Sequence, residues 1–115
     1  MKTSKDPRHQ QRIQLVKALF TYSFSSEGTE EIADIVAKLP AIDELIKGVA
    51  KDHPLQDINK IDLAILRLGV FELEKKELSP NIIIDEAIEI AKEYGAENSK
   101  NFVNAVLSKI ASQNL

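Results

Sequence analysis

The stretch Ile61–Leu73, "IDLAILRLGVFEL", decides the fold. Wound at 3.6 residues per turn it is apolar on nearly all sides, with Asp62, Arg67 and Glu72 as its only charges. A helix of that kind is stable in water when other helices surround it, so it belongs in the middle of a bundle. Asn59 is placed to cap it. Asp62 falls in its first turns, where the helix dipole favours a negative charge. We place this helix from Ile58 to about Lys76 and expect it to be the most buried element.

The segments on either side repeat the helical period. Upstream, Ile13, Val16, Phe20 and Phe24 form one row, with Leu15, Leu19 and Tyr22 beside it. Pro7 suits the first turn of that helix, where a missing N–H costs nothing, and "SSEG" (25–28) ends it. Thr29 can cap a second helix carrying Ile32, Ile35, Val36 and Leu39. Pro40 breaks the pattern, and Ile42, Leu45, Ile46 and Val49 start a third, short helix that Pro54 stops. Downstream, "LSPN" (78–81) turns the chain into a helix with Ile84, Ala87, Ile88 and Ala91 on one face, closed by Gly95 as a left-handed residue. The run Ile82–Ile84 would also suit a short buried strand, but no segment offers it a partner, so a helix is expected. The last helix starts near Asn98 or Ser99 and carries Phe102, Val103, Val106, Leu107 and Ile110. The fold expected is all-α, about six helices with short connections.

At 115 residues the chain is read as one domain, 1–115, with 1–7 as a flexible basic tail. A chain of this length buries roughly 65% of its unfolded surface, enough for one core. The absence of cysteine excludes disulfides and thiolate metal sites. No apolar run approaches the roughly 20 residues that cross a bilayer. The start "MKTSKDPRHQQR" has no apolar signal core, so a cytoplasmic location is expected. A net charge of −3 argues against a general polyanion binder, but its distribution is uneven. Lys2, Lys5, Arg8 and Arg12 face one Asp6 at the start, while acidic residues gather at 27–34 and 72–97. A basic end on an acidic body can touch phosphate locally.

Chemistry-bearing motifs are missing. His9 sits in the basic start and His53 beside Pro54. There is no His-Glu-x-x-His run, glycine-rich phosphate loop or nucleophile motif. Asp85 and Glu89 have the four-residue spacing of a solvated helix face. We expect no enzyme, no cofactor and no metal.

Three pieces in order, "DLAILRLGVFEL", "IIIDEAIEIAKEYGAENS" and "KNFVNAVLSKI", resemble the C-terminal half of the NusB family of bacterial transcription antitermination factors. "LVKALFTYSF" resembles the family's first helix. The resemblance is specific over 42–110, moderate over 8–24, and absent over 25–41. The chain is a short form, lacking about one helix of the N-terminal half. Ala105 and Asn98 stand where the family usually has a glycine and an acidic residue. The resemblance implies an all-helical bundle of two packed subdomains that binds single-stranded boxA RNA. It also implies pairing with the ribosomal protein NusE in an antitermination complex on RNA polymerase at ribosomal RNA operons. The alternatives are a stand-alone RNA-binding or protein–protein scaffold module, related to the N-terminal domain of ribosomal RNA cytosine methyltransferases.

Carried over residue by residue, the resemblance assigns RNA contact to Arg8, Arg12, Ser99, Lys100, Phe102 and Asn104. It assigns partner contact to Phe20 and Asp62. His9 and Gln10 stand where arginine is common. The chemistry agrees, since single strands are held by cations together with groups that stack on bases or bond their edges. Five of these residues also have a plainer role: Phe102 in the core, Asn104 on the surface, Arg12 as an exposed helix charge, Phe20 in the core and Asp62 at a helix start. Arg67, in so apolar a helix, needs an acidic partner, and Glu72 or Glu86 is expected to pair with it.

Overall fold

The computed structural model describes residues 6–114, and all their regular structure is helical. Five α-helices follow one another: α1 Pro7–Ser25, α2 Ala33–Val49, α3 Lys60–Lys75, α4 Pro80–Tyr94 and α5 Ser99–Asn114. Single turns of 3₁₀ helix, Glu30–Ile32 and Leu55–Asp57, lead into α2 and α3. The third helix is the hub and packs against each of the other four. Every residue from Asp62 to Val70 is buried, as its all-round apolar pattern requires. At Gly69 the helices close up: a Cβ there would lie 2.8 Å from Leu107 Cδ1 of α5. Buried apolar side chains from all five helices join in one cluster.

Side-chain caps set the helix starts. Asp6 accepts a hydrogen bond from the Arg8 N–H at 2.8 Å, Asn59 from the Ile61 N–H at 2.8 Å, and the Ser79 hydroxyl from the Ile82 N–H at 3.4 Å. Such a cap contributes about 1 kcal/mol. Thr29 stands at the start of a 3₁₀ turn but makes no capping bond. Ser26 and Lys76, both left-handed, close α1 and α3. Ile82–Ile84 is helical, with Ile82 exposed and Ile83 and Ile84 buried.

Four expectations are corrected. Pro40 does not end a helix, because α2 runs straight through it, and five α-helices stand where about six were expected. The buried stripe Ile35, Leu39, Ile42 and Ile46 continues in phase across the exposed Pro40. An interior proline costs about 3 kcal/mol, whereas each buried aliphatic side chain contributes roughly 1.5–3 kcal/mol. Gly95 is not left-handed, with φ −88° and ψ −176°. It must be glycine for another reason: a Cβ would lie 2.5 Å from Ser99 Cβ and 2.7 Å from the Ala91 carbonyl oxygen. Arg67 pairs with neither Glu72 nor Glu86. Its Nε and Nη2 donate to Asp43 of α2 at 3.0 and 2.9 Å. Glu72 lies five residues along α3, about 140° around the helix, so it faces another neighbour. Finally, Asp6 and Pro7 are no tail but the cap and first residue of α1, while Lys2 and Lys5 lie outside the described residues. Among the described residues no helix is long and apolar enough to cross a membrane.

Candidate nucleic-acid interface

The N-terminal ends of α3 and α5 meet around a cavity of about 340 Å³ whose lining includes His53, Asn59, Asp62, Asn98 and Phe102. The close approach at Gly95 builds this corner. The Ala96 N–H donates to the Ser99 hydroxyl at 2.8 Å, and Ser99 is only 2% exposed. Ser99, expected at the RNA, is therefore a brace in the wall of the cavity, buried from solvent. Beneath the cavity, Asp62 is 7% exposed and its Oδ1 has no hydrogen-bond partner within the protein. Burial raises the Asp62 pKa above the ordinary carboxylate value, and a hydrogen bond from the Ser99 hydroxyl offsets part of that rise.

The cavity mouth and the first turns of α5 supply the remaining chemistry. Phe102 is half-buried, and its ring meets that of His53 edge to face with centroids 5.1 Å apart. Lys100, Asn101 and Asn104 are exposed on the first turns of α5. The Asn104 side-chain oxygen accepts from the Ser108 hydroxyl at 3.0 Å, which leaves its NH2 group to donate outward. Two aromatic rings, Asn59 and Asn98 line the concavity, and Lys100 and Asn104 stand exposed on the same turns of α5; these are the kinds of group that hold a single-stranded nucleic acid.

Arg8 and Arg12 are not part of this corner. They line a second cavity of about 200 Å³ with Phe71, Glu72 and Lys75. From Asp62 to Glu72 is about 15 Å along α3, so the two cavities occupy opposite ends of that helix. Arg8 is exposed, with Nη2 3.5 Å from Asp6. Arg12 is buried and committed to carboxylates. Its Nε lies 3.1 Å from both Glu72 oxygens, its Nη2 3.0 Å from Glu72, and its Nη1 3.5 Å from Glu86. An approaching phosphate would have to displace both, so the expectation of a free cation at Arg12 is corrected. Phe20 is half-buried on α1 and packs edge to face on Phe24, which is 65% exposed. It does not line the cavity that holds Asp62.

Sequence reading missed the residues that organise the other end of α3. His9, assigned to the basic start, is turned inward between Glu86 and Glu93 of α4. A signal was present: Glu86 and Glu93 are two helical turns apart, and His9 and Arg12 one turn apart, so each pair shares a face.

Comparison with known proteins agrees with this architecture. The NusB family model matches residues 29–112. The chain belongs to the NusB family. The transcription antitermination protein NusB of a Thermotoga species is 36% identical over 132 aligned positions, covering 95% of this chain and 93% of the relative. That alignment is longer than the 115-residue chain, so the relative carries segments absent here. The NusB of a Nitratiruptor species is 32% identical over 92% of each chain. Others are matched over a shorter span: the Pseudothermotoga lettingae NusB is 43% identical over 72% of this chain and 60% of its own length. A solved structure of T. maritima NusB superposes with a TM-score of 0.84 at 34% identity, over 98% of this chain and 94% of that one. The family match begins at residue 29, within the segment 25–41 where no resemblance was expected. These relatives bear the name of transcription antitermination proteins, not of an enzyme.

Proposed function

We propose that this NusB-family chain is a transcription antitermination factor that binds boxA-like single-stranded RNA. The corner where α3 meets α5 is the RNA surface. It acts with the ribosomal protein NusE in a complex that modifies RNA polymerase on ribosomal RNA operons. The observation that carries the reading is the gathering of His53, Asn59, Asn98 and Phe102 around a cavity above the buried Asp62, whose Oδ1 has no partner within the protein, with Lys100 and Asn104 exposed on the same turns of α5. Lys100 meets phosphate, Phe102 and His53 offer rings to a base, and Asn104 bonds a base edge. Arg8, exposed toward the other end of α3, meets phosphate further along the strand. The exposed Phe24, packed edge to face on Phe20, continues the partner face expected at Phe20. Asp62, expected beside it, is instead buried beneath the α3–α5 cavity.

Titration of labelled boxA-like and scrambled RNA, with and without NusE, tests this. Wild type should prefer boxA and bind more tightly when NusE is present. Asn104→Ala should lose the preference while keeping the salt dependence. A wild type with neither preference nor salt dependence would leave the scaffold reading in its place.

A further inference from the structure

His9 is 4% exposed and lies between two carboxylates of α4. Its Nδ1 is 3.2 Å from Glu86 Oε1, and its Nε2 is 3.0 Å from Glu93 Oε1. A neutral imidazole carries one N–H and one lone pair, whereas an ionised carboxylate only accepts. With a neutral ring, one nitrogen would face an oxygen lone pair to lone pair at hydrogen-bonding distance. The doubly protonated ring donates to both.

The surrounding charges point the same way. Arg12, also on α1, reaches Glu86 and pairs with Glu72 of α3. Among the described residues, Asp6 and Arg8, the other charged groups at this end of α1, pair with each other. Among the described residues, Glu72, Glu86 and Glu93 all lie within reach of Arg12 or His9. A charged His9 adds a positive charge beside the buried Glu86, where an unpaired carboxylate is costly.

We propose that His9 is a positioning residue whose second proton fastens the first turns of α1 to α4, so that the start of the helix docks when His9 is charged and loosens when it is not. The clamp itself does not depend on RNA. Its consequence for RNA, that Arg8 is held in place only while the clamp is closed, rests on the reading proposed above. Titration of the ring supports the geometry. The hydrogen bond to Glu93 raises the His9 pKa above its ordinary value, burial works against that rise, and Glu86 adds to it. The folded-state pKa lies above the unfolded one. The stabilisation is therefore fully present below the unfolded value of about 6.5 and is lost as pH rises through the folded value.

The test is made on the full chain without RNA. The His9 imidazole is titrated by NMR, and amide exchange at residues 11–13, corrected for the intrinsic rate, is followed between about pH 5 and pH 9. Protection should fall with rising pH by about tenfold for each pH unit by which the midpoint exceeds the unfolded value. Glu93→Gln, on the half-exposed side of the clamp, should lower the midpoint and shrink the fall. His9→Gln should abolish the pH dependence. A midpoint at or below the ordinary histidine value, protection that does not change with pH, or the same dependence in His9→Gln would overturn the proposal. If His9→Gln does not fold, the midpoint in Glu93→Gln decides, and an unchanged value overturns it. RNA affinity is measured separately. Failure of RNA binding with an intact clamp titration would remove the RNA reading and leave the clamp.

Discussion

The two ends of α3 meet different helices and are built in opposite ways. At the C-terminal end, Glu72 joins Arg12, Glu86, His9 and Glu93 in a cluster where each charge has an opposite one within hydrogen-bonding reach. At the N-terminal end, Asp62 has an oxygen with no partner, and a cavity lined by the His53 and Phe102 rings opens above it. A satisfied buried network rigidifies a joint, while an unsatisfied polar group beside a cavity is where a ligand's donors gain most. The cations that look most available in the sequence lie at the satisfied end. The less conspicuous amides and aromatic rings stand at the open one.

Glu86→Ala should have the largest effect. It leaves His9 and Arg12 facing a hole where a carboxylate stood, and breaking one side of a buried pair costs about 3–5 kcal/mol. Urea melts at neutral pH check this. A loss under about 1 kcal/mol would mean that the C-terminal end is not held by its charges.

The next effect belongs to the open end. Gly95→Ala forces a Cβ against Ser99 and the Ala91 carbonyl, so the loop entering α5 must shift, at about 1–3 kcal/mol. RNA affinity should fall with it, because the same shift moves Lys100 and Phe102. Gly48→Ala is the control: nothing lies within 4 Å of its Cβ position on α2. There the exchange should stabilise by roughly 0.4–1 kcal/mol. Thermal melts of the two variants moving in opposite directions would support the steric account, and equal shifts would remove it.

The smallest effect is at Asp62. Burial raises its pKa in the folded chain, so ionisation at neutral pH opposes folding. Asp62→Asn should melt slightly above wild type near pH 7, by an amount worth less than about 1 kcal/mol. The gap should close as pH falls below the folded-state pKa, where the wild-type carboxyl is protonated. A gap that widens toward low pH would show that the carboxylate is stabilised, not strained, in its site.

Much of this was legible in the sequence. The all-round apolar run 61–73 fixed α3 as the hub, and Asn59 marked its start. The entrance of α5 was legible at Ser99 because Gly95 and the residues after it break the apolar period. What failed were questions of direction. Pro40 signals a break locally, but the stripe Ile35, Leu39, Ile42, Ile46 needs one straight helix, and only its packing partners reveal that need. Arg67 asked for a carboxylate, and the sequence could not say that α2 would supply Asp43. His9 and Arg12 read as surface charge because their partners lie on elements distant in sequence. Glu72 is 60 residues from Arg12 and Glu86 is 77 residues from His9.

The division between the two ends is tested most directly by the salt dependence of RNA binding in Lys100→Ala and Arg12→Ala, measured beside the wild type on the same boxA-like strand. Each phosphate contact on a single strand contributes about 0.7 to the slope of log affinity against log salt. Lys100→Ala should lower the slope by about that amount with little change in melting temperature. Arg12→Ala should lower the melting temperature and leave the slope unchanged at temperatures where the variant is folded. A reduced slope in Arg12→Ala with an unchanged slope in Lys100→Ala would contradict the account and move the RNA to the charged end of α3.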